Sequence, residues 1–577
     1  MRIAVTQFST SKQLSDNLDS CCRVINKAAT CQPSLIVLPE FCNTSPCYID
    51  KDHAWDEALA IDGIFLKEIA ALANKYNCYI LINVTLRRNS SNALLNNERF
   101  NINEQNITIS SCLFSSSGEL VAVSDKSNLS CEEQKFFVSS NAAIDTITTT
   151  QGVFGCLIGN DSFTFKTSRD LALSGVQLIC NSINSSVLDQ VDLHDPARAF
   201  ENNVFFATAN KVGCFNLSEQ KACGQSQIVS PEGRILARMN NLEEGFVFAD
   251  ILLNEVGLNN KVRPDGTDVT KYQLAEHNLK LTVDKNRVQI IENIELNIAN
   301  TANVAIFATY NSNEKAIEDV CHYIENNLSD IIQLPELFFI ADKTITNNEE
   351  SRVHLSQLSE KVIEQVSSSL GPFQYVCTSL IIDGKHQAVL INEHGLLATQ
   401  PQLNYCKRYE WTTLGHQLNI VELPLEQGSV RIAMLTADDA NSPEVVRCAS
   451  LNNIQVLLVP FDIQESCEVE YSLISRAAEN RICIIAASRE KNFVNNLTKK
   501  SLNEKCPNKV KAEKSTGFIA NLNSNLAFLP QWRKQKFNGF INKPIVKYQH
   551  GKITKAVIHP IAACRNNSNC EDEEKPN

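Results

Sequence analysis

Two stretches of this chain end in the same way. Residues 35–41 read LIVLPEF and residues 331–338 read IIQLPELF, each an apolar run closed by Pro-Glu. Each is followed by a lysine in a polar turn, Lys126 and Lys407, and then by a third segment, IGNDSFTFKTSR at 158–169 and TADDANSPEVVR at 436–447. The spacing is similar in both copies: 33 positions separate Lys126 from Gly159, and 30 separate Lys407 from Ala437. An ordered repeat of this kind predicts two domains folded on one plan, and it constrains the fold more than any local propensity does. The chain has 577 residues, too many for one core, and two domains of about 250 residues each fit the repeat better than four small ones.

Charge and composition remove whole classes of function. The formal net charge is −12 and the sequence pI is near 5.5. A nucleic-acid binder needs a basic stripe to displace counterions, so none is expected here. The basic runs near Lys499–Lys514 and Arg533–Lys536 read as solvated surface. No stretch approaches 18 apolar residues, and the first residues, MRIAVTQFST, contain no apolar signal core. The expectation is therefore a protein without a membrane span, in the cytoplasm. The 21 cysteines are scattered along predicted strands and helices with no paired CxxC pattern, so they read as small buried hydrophobes in a reducing compartment. No metal or cofactor is expected.

The coarse pattern is that of an α/β fold. Residues 2–8 and 35–38 read as strands, with an amphipathic helix over Leu14–Ala29 between them, which places Glu40 just past a strand end. Ligand sites of α/β folds favour that edge. Residues 63–76 read as helix and 78–84 as strand, and 109–114 with 119–123 flank the turn Ser115-Ser-Ser-Gly118. Strand, helix and strand follow at 153–158, 165–174 and 176–181. A helix leading into a strand is read at 197–213 and again at 475–488, and 303–310 restarts the strand pattern. The expected boundaries are a first domain at 1–252, an extended tail and linker at 253–301, a second domain at 302–545, and a charged tail at 546–577 that ends in disorder.

With these segments in view, the chain resembles the nitrilase superfamily of carbon–nitrogen hydrolases, twice over. The resemblance rests on the Pro-Glu runs, the two lysines and the two Asp…Arg segments. It also rests on ARAFEN (197–202), SRAAEN (475–480), and Gly224, Ser226, Ile228, Pro231 and Gly233 at the spacing of a family hairpin. It implies a fold of two tandem α-β-β-α four-layer sandwiches. Glu40 and Glu336 then stand at the general-base positions, and Lys126 and Lys407 at those of the lysine that stabilises the oxyanion. Glu133, with Glu132 as its rival, stands where a second acid orients that lysine, and the second copy has Glu410 but no acid at the matching place.

The family's nucleophile is a cysteine. Aligning Asp161 and Arg169 puts Gly159 in its place, and aligning Asp439, Pro443, Glu444 and Arg447 puts Ala437 there. Neither side chain can attack a carbon. Cys156 lies an odd number of residues before Gly159 and faces the other side of a strand, and Cys406 has the same parity problem beside Lys407. The expectation is a catalytically degenerate protein that binds a small amide or carboxylate or serves as a regulatory scaffold. The alternative is a working amidase or nitrilase-type hydrolase. The duplication further predicts a pseudo-twofold pairing of the two domains within one chain, with homo-oligomers open to it.

Overall fold

The structure is a computed structural model. It describes residues 1–88, 106–139, 146–186, 188–213, 222–254, 256–269, 299, 301–309, 311–465, 467–480 and 482–489, with strand backbone at 288–291, 524–525, 527–534, 540–545, 548–549 and 554–557. The chain divides into two compact units between Lys261 and Val262.

The first unit contains two six-stranded sheets. One runs β12 (Gly245–Asp250), β1 (Arg2–Gln7), β2 (Leu35–Val37), β3 (Tyr79–Arg87), β4 (Ile107–Phe114), β5 (Leu120–Asp125). The other runs β11 (Ile235–Arg238), β10 (Gln227–Val229), β9 (Phe205–Ala209), β8 (Leu178–Ser182), β7 (Gly152–Ile158), β6 (Ile147–Thr149). Successive side chains of a strand point to opposite faces, and the apolar clusters follow that period. Val5, Val37 and Leu81 of the first sheet pack with Phe154, Cys156, Cys180 and Ala207 of the second. The intervening residues face helices. Ala4, Ile36 and Ile80 pack with α1 (Leu14–Ala28) and, past α2 (Lys51–Glu57), with α3 (Ile64–Tyr76). Leu157, Ile179 and Phe206 pack with α4 (Phe165–Leu173) and α5 (Asp195–Asn202). The turn between β4 and β5 closes on Gly118, whose φ of +83° favours glycine.

The second unit repeats this order. One sheet runs β18 (Gly395–Pro401), β17 (Lys385–Asn392), β16 (Tyr375–Ile382), β15 (Ile331–Gln333), β14 (Thr301–Ile306), β27 (Thr554–Val557). The other runs β13 (Val288–Ile291), β19 (Leu418–Leu425), β20 (Gly428–Met434), β21 (Val456–Pro460), β22 (Cys483–Ala487), β24 (Ala527–Lys534), β25 (Phe540–Ile545). A small pair joins β23 (Ser524–Asn525) to β26 (Tyr548–Gln549). Between the large sheets lie Ile306, Cys377 and Leu390 against Met434, Leu458 and Ile485. Outside them pack α6 (Glu314–Asn326) and α7 (Glu349–Ser369) on one side, and α8 (Ala437–Ala440), α9 (Pro443–Leu451) and α10 (Leu473–Asn480) on the other.

The stretch 253–301 is shared out. Leu253 and Leu258 are buried in the first unit, whereas 288–291 pair in parallel with β19 of the second. Part of the expected tail is strand, because β27 pairs antiparallel with β14. Residues 558–577 of the expected charged tail lie outside the described residues.

Candidate functional site

In the first unit four of the residues singled out in the sequence come together. Glu40 follows β2, and its backbone N–H donates to Ile183 O at 3.2 Å. Lys126 follows β5, its backbone held by Ile109 O at 2.8 Å. Its ammonium reaches back to Glu40 Oε1 at 2.8 Å and across to Glu133 Oε1 at 2.6 Å. Glu133 comes from the 3-10 turn Glu133–Lys135, with its other oxygen accepting from Ser130 N at 2.7 Å. Gly159 opens the turn after β7 with a φ of +51°. A Cβ built on it would stand 2.6 Å from Lys126 Nζ and 2.9 Å from Glu40 Oε2. The acid and the amine therefore occupy the space that a side chain at 159 would need.

The neighbouring residues hold this arrangement. Asp161 accepts from the backbone N–H groups of Ser127 and Asn128, tying the turn after β7 to the residues after Lys126. Gln190 Nε2 and Ser162 Oγ both donate to Gly159 O, at 3.1 Å and 3.2 Å. Lys211, which the sequence reading passed over, is buried under the Glu40 loop. Its ammonium donates to Thr10 Oγ1, Phe41 O and Thr44 O at 2.8, 2.8 and 3.1 Å. A lone lysine after a strand carries no signal of that role.

Burial dominates the electrostatics. It pushes Glu40 up to about 7, with Lys126 pulling against it and Glu133 adding to it. Burial works to lower Lys126, but the two carboxylates outweigh it and hold the ammonium above its ordinary range. Burial lowers Lys211 to about 8, the charge of Glu40 opposing it. Cys156 faces the space between the sheets, where burial raises its thiol to about 12.

The second unit keeps the acid and changes its partners. Glu336 follows β15, and its backbone N–H donates to Phe461 O at 3.2 Å, matching Glu40. Lys407, the lysine expected beside it, is a correction: its amine is half-exposed and pairs with Glu410 instead. Residues Lys407–Tyr409 form a 3-10 turn, which spaces successive side chains about a third of a turn apart. Lys407 therefore points outward while Arg408 and Tyr409 point in. Arg408 Nη1 donates to Glu336 Oε1 at 3.1 Å and Asp462 Oδ2 at 2.6 Å, and Nη2 donates to Asp438 Oδ2 at 2.8 Å. Tyr409 donates its hydroxyl proton to Glu336 Oε1 at 2.5 Å.

The residue that stands where Lys126 stands is Gln402. It follows β18 as Lys126 follows β5, and its N–H donates to His386 O at 3.2 Å. Asp439 then accepts from the N–H groups of Leu403 and Asn404, as Asp161 does from Ser127 and Asn128. Ala437 is buried at the start of α8 and packs into the apolar cluster beneath it. Cys406 is turned inward, opposite to Lys407, with its thiol donating to Asp265 Oδ2 at 3.6 Å, and burial raises its pKa far above the usual thiol range. Residues 197–202 and 475–480 each bury an Arg–Glu pair, Arg198 with Glu201 and Arg476 with Glu479.

Residues 2–260 match the carbon–nitrogen hydrolase family. The matched stretch takes in nearly all of the first unit's Met1–Lys261. A probable nitrilase from Schizosaccharomyces pombe is 26% identical over 246 residues, covering 41% of this chain and 84% of the yeast protein. A nitrilase from Pyrococcus abyssi is 33% identical over 123 residues, 21% of this chain and 45% of its own length. Among solved structures, an amidase from Nesterenkonia sp. is 20% identical, with 44% of this chain and 90% of that one covered at a TM-score of 0.37. Among the described residues no helix is long and apolar enough to cross a membrane.

Proposed function

We propose that this is a tandem carbon–nitrogen hydrolase-like protein, two α-β-β-α four-layer sandwiches in one chain, in which both sites have lost covalent catalysis and the first retains a small-molecule site. One observation carries the reading: a Cβ at Gly159 would fall 2.6 Å from Lys126 Nζ. The acid and amine have closed over the place of a nucleophile instead of flanking one. Removing the nucleophile of a covalent-catalysis site costs on the order of 10⁶ in rate in a serine protease, so scaffold and charge alone leave little turnover.

The ligand class follows from charge. Two carboxylates face one ammonium at the first site, which favours a neutral amide offering N–H donors over a carboxylate. The family reading supports the same choice. Free thiols throughout the described cysteines support a reducing, cytoplasmic setting.

One feature favours a second reading, an active amidase. A Glu40 poised near 7 suits a general base that activates water. The deciding measurement is ammonia release from a panel of amides and nitriles, run on the full chain and on Glu40→Ala. The degenerate reading expects no turnover that depends on Glu40, together with amide binding by calorimetry that Glu40→Ala weakens. Clear turnover abolished by Glu40→Ala establishes the enzyme instead.

A further inference from the structure

In the second unit, residues 262–268 form a tight loop beside Arg408. Val262 bridges Asp268, Arg263 N donates to Thr267 O at 2.9 Å, and Gly266 N returns to Arg263 O at 2.9 Å. Gly266 has a φ of +84°, which this turn requires. The loop is fastened at two further points. Asp265 Oδ2 accepts from Arg408 Nε at 3.1 Å, and Thr267 Oγ1 accepts from Lys407 N at 2.8 Å.

Its arginine goes inward. Arg263 Nη1 donates to Asp438 Oδ1 and Nη2 to Glu468 Oε1, each at 2.5 Å. The three side chains are 4%, 0% and 1% exposed. Asn441 Nδ2 donates to the same Glu468 oxygen at 3.0 Å, and Gln464 N holds the other at 2.7 Å.

The first unit shows what these acids replace. Asp438 is the second residue of the turn Ala437–Ala440, where the first unit's turn Gly159–Ser162 has Asn160. Glu468 opens the π-helical turn Glu468–Ser472, where the corresponding turn Gln190–His194 opens with Gln190. Both amides of one unit are carboxylates in the other, and an arginine spans them.

We infer that the second unit has become a guanidinium-binding site, a clamp of Asp438 and Glu468 occupied by the chain's own Arg263. The inference stands on the second unit alone and is independent of what the first site binds. The ligand class is set by geometry. Two carboxylates on separate elements each take their own nitrogen of a planar fork, whereas an ammonium, as Lys126 does between Glu40 and Glu133, must bring both oxygens to one nitrogen. A metal is the rival occupant, because Asp265, Cys406 and Asp438 bring ligand atoms within 4.8 Å of one another. Arg408 already donates to both of those carboxylates, so the cation there is supplied by the protein.

The test uses the full chain carrying Arg263→Ala, with thermal unfolding followed calorimetrically in millimolar ethylguanidinium or ethylammonium chloride. The expected result is a lowered transition that ethylguanidinium restores and ethylammonium does not, with the unsubstituted chain moved by neither. An unchanged transition overturns the inference, and so does a loss that neither salt, or both salts equally, restore. If Arg263→Ala does not fold, the double variant Arg263→Ala/Glu468→Gln, which installs the first unit's amide, is expected to fold. Failure of that variant too shows that the loop does more than fill a clamp and overturns the inference.

Discussion

The two units hold the same acid at the same strand end and neutralise it in different ways. Glu40 meets an ammonium delivered from the end of β5, with a second acid arriving from the following turn. Glu336 meets a guanidinium and a phenol from the turn, while the amide of Gln402 at the strand end bonds His386 and Asn404. A backbone position can thus persist while the charge that balances it moves to another element. The change of cation also changes how tightly the site is bound to its surroundings. Lys126 serves two carboxylates, whereas Arg408 joins Glu336, Asp265, Asp438 and Asp462 in one network.

Loss of the second unit's cation is expected to have the largest effect. Arg408→Ala leaves several buried carboxylates uncompensated, and losing one partner of a buried pair costs about 3–5 kcal/mol. The second unit is expected to lose that much or more in denaturant unfolding while the first keeps its transition. Equal loss in both units removes the distinction. A smaller effect is expected from Gly159→Ala, about 1–3 kcal/mol, because the new Cβ meets Lys126 Nζ in a left-handed backbone. Ala437 opens a helix and accepts its methyl without that strain. A Gly159→Ala chain as stable as the original shows that Lys126 moves freely, and the filled nucleophile place is then wrong.

Both units bury acids whose titration is displaced upward. Burial raises Glu40 to about 7 and Asp195 to about 6 in the first unit, and raises Asp439 and Glu468 each to about 7 in the second. Groups raised on folding stabilise below their unfolded values, and that contribution is lost as pH climbs through the folded ones. Both unfolding transitions should therefore fall as pH rises from about 4 to about 7, by up to about 1.4 kcal/mol for each pKa unit of difference. A transition that rises over that window in either unit contradicts its set of buried acids. The smallest effect belongs to Lys407→Ala, for which calorimetry should show neither transition moving, because the half-exposed amine pairs with an equally exposed Glu410. A clear shift restores Lys407 to the site.

The Pro-Glu strand ends, the acid–lysine–acid set of the first unit and the parity of Cys156 were legible from the sequence because each depends on local period and spacing. The second unit's partner was not. The string Cys406-Lys407-Arg408-Tyr409 offers two adjacent cations, and the choice depends on a 3-10 turn whose threefold spacing an extended reading misses. The turn sends Arg408 inward and puts Cys406, not Lys407, on the inside. The Arg263 clamp was hidden for another reason. Its acids lie 175 and 205 positions away along the chain, and no local pattern joins them.

Lys211 ties the Glu40 loop down. Three oxygens of the Glu40 loop and its surroundings share the three N–H bonds of one ammonium. Deprotonated, an amine has only two to give. With its pKa drawn down to about 8, mild alkali is enough to leave one of those oxygens without its tie. The segment presenting the acid is then fastened more loosely in a slightly basic medium than in a neutral one.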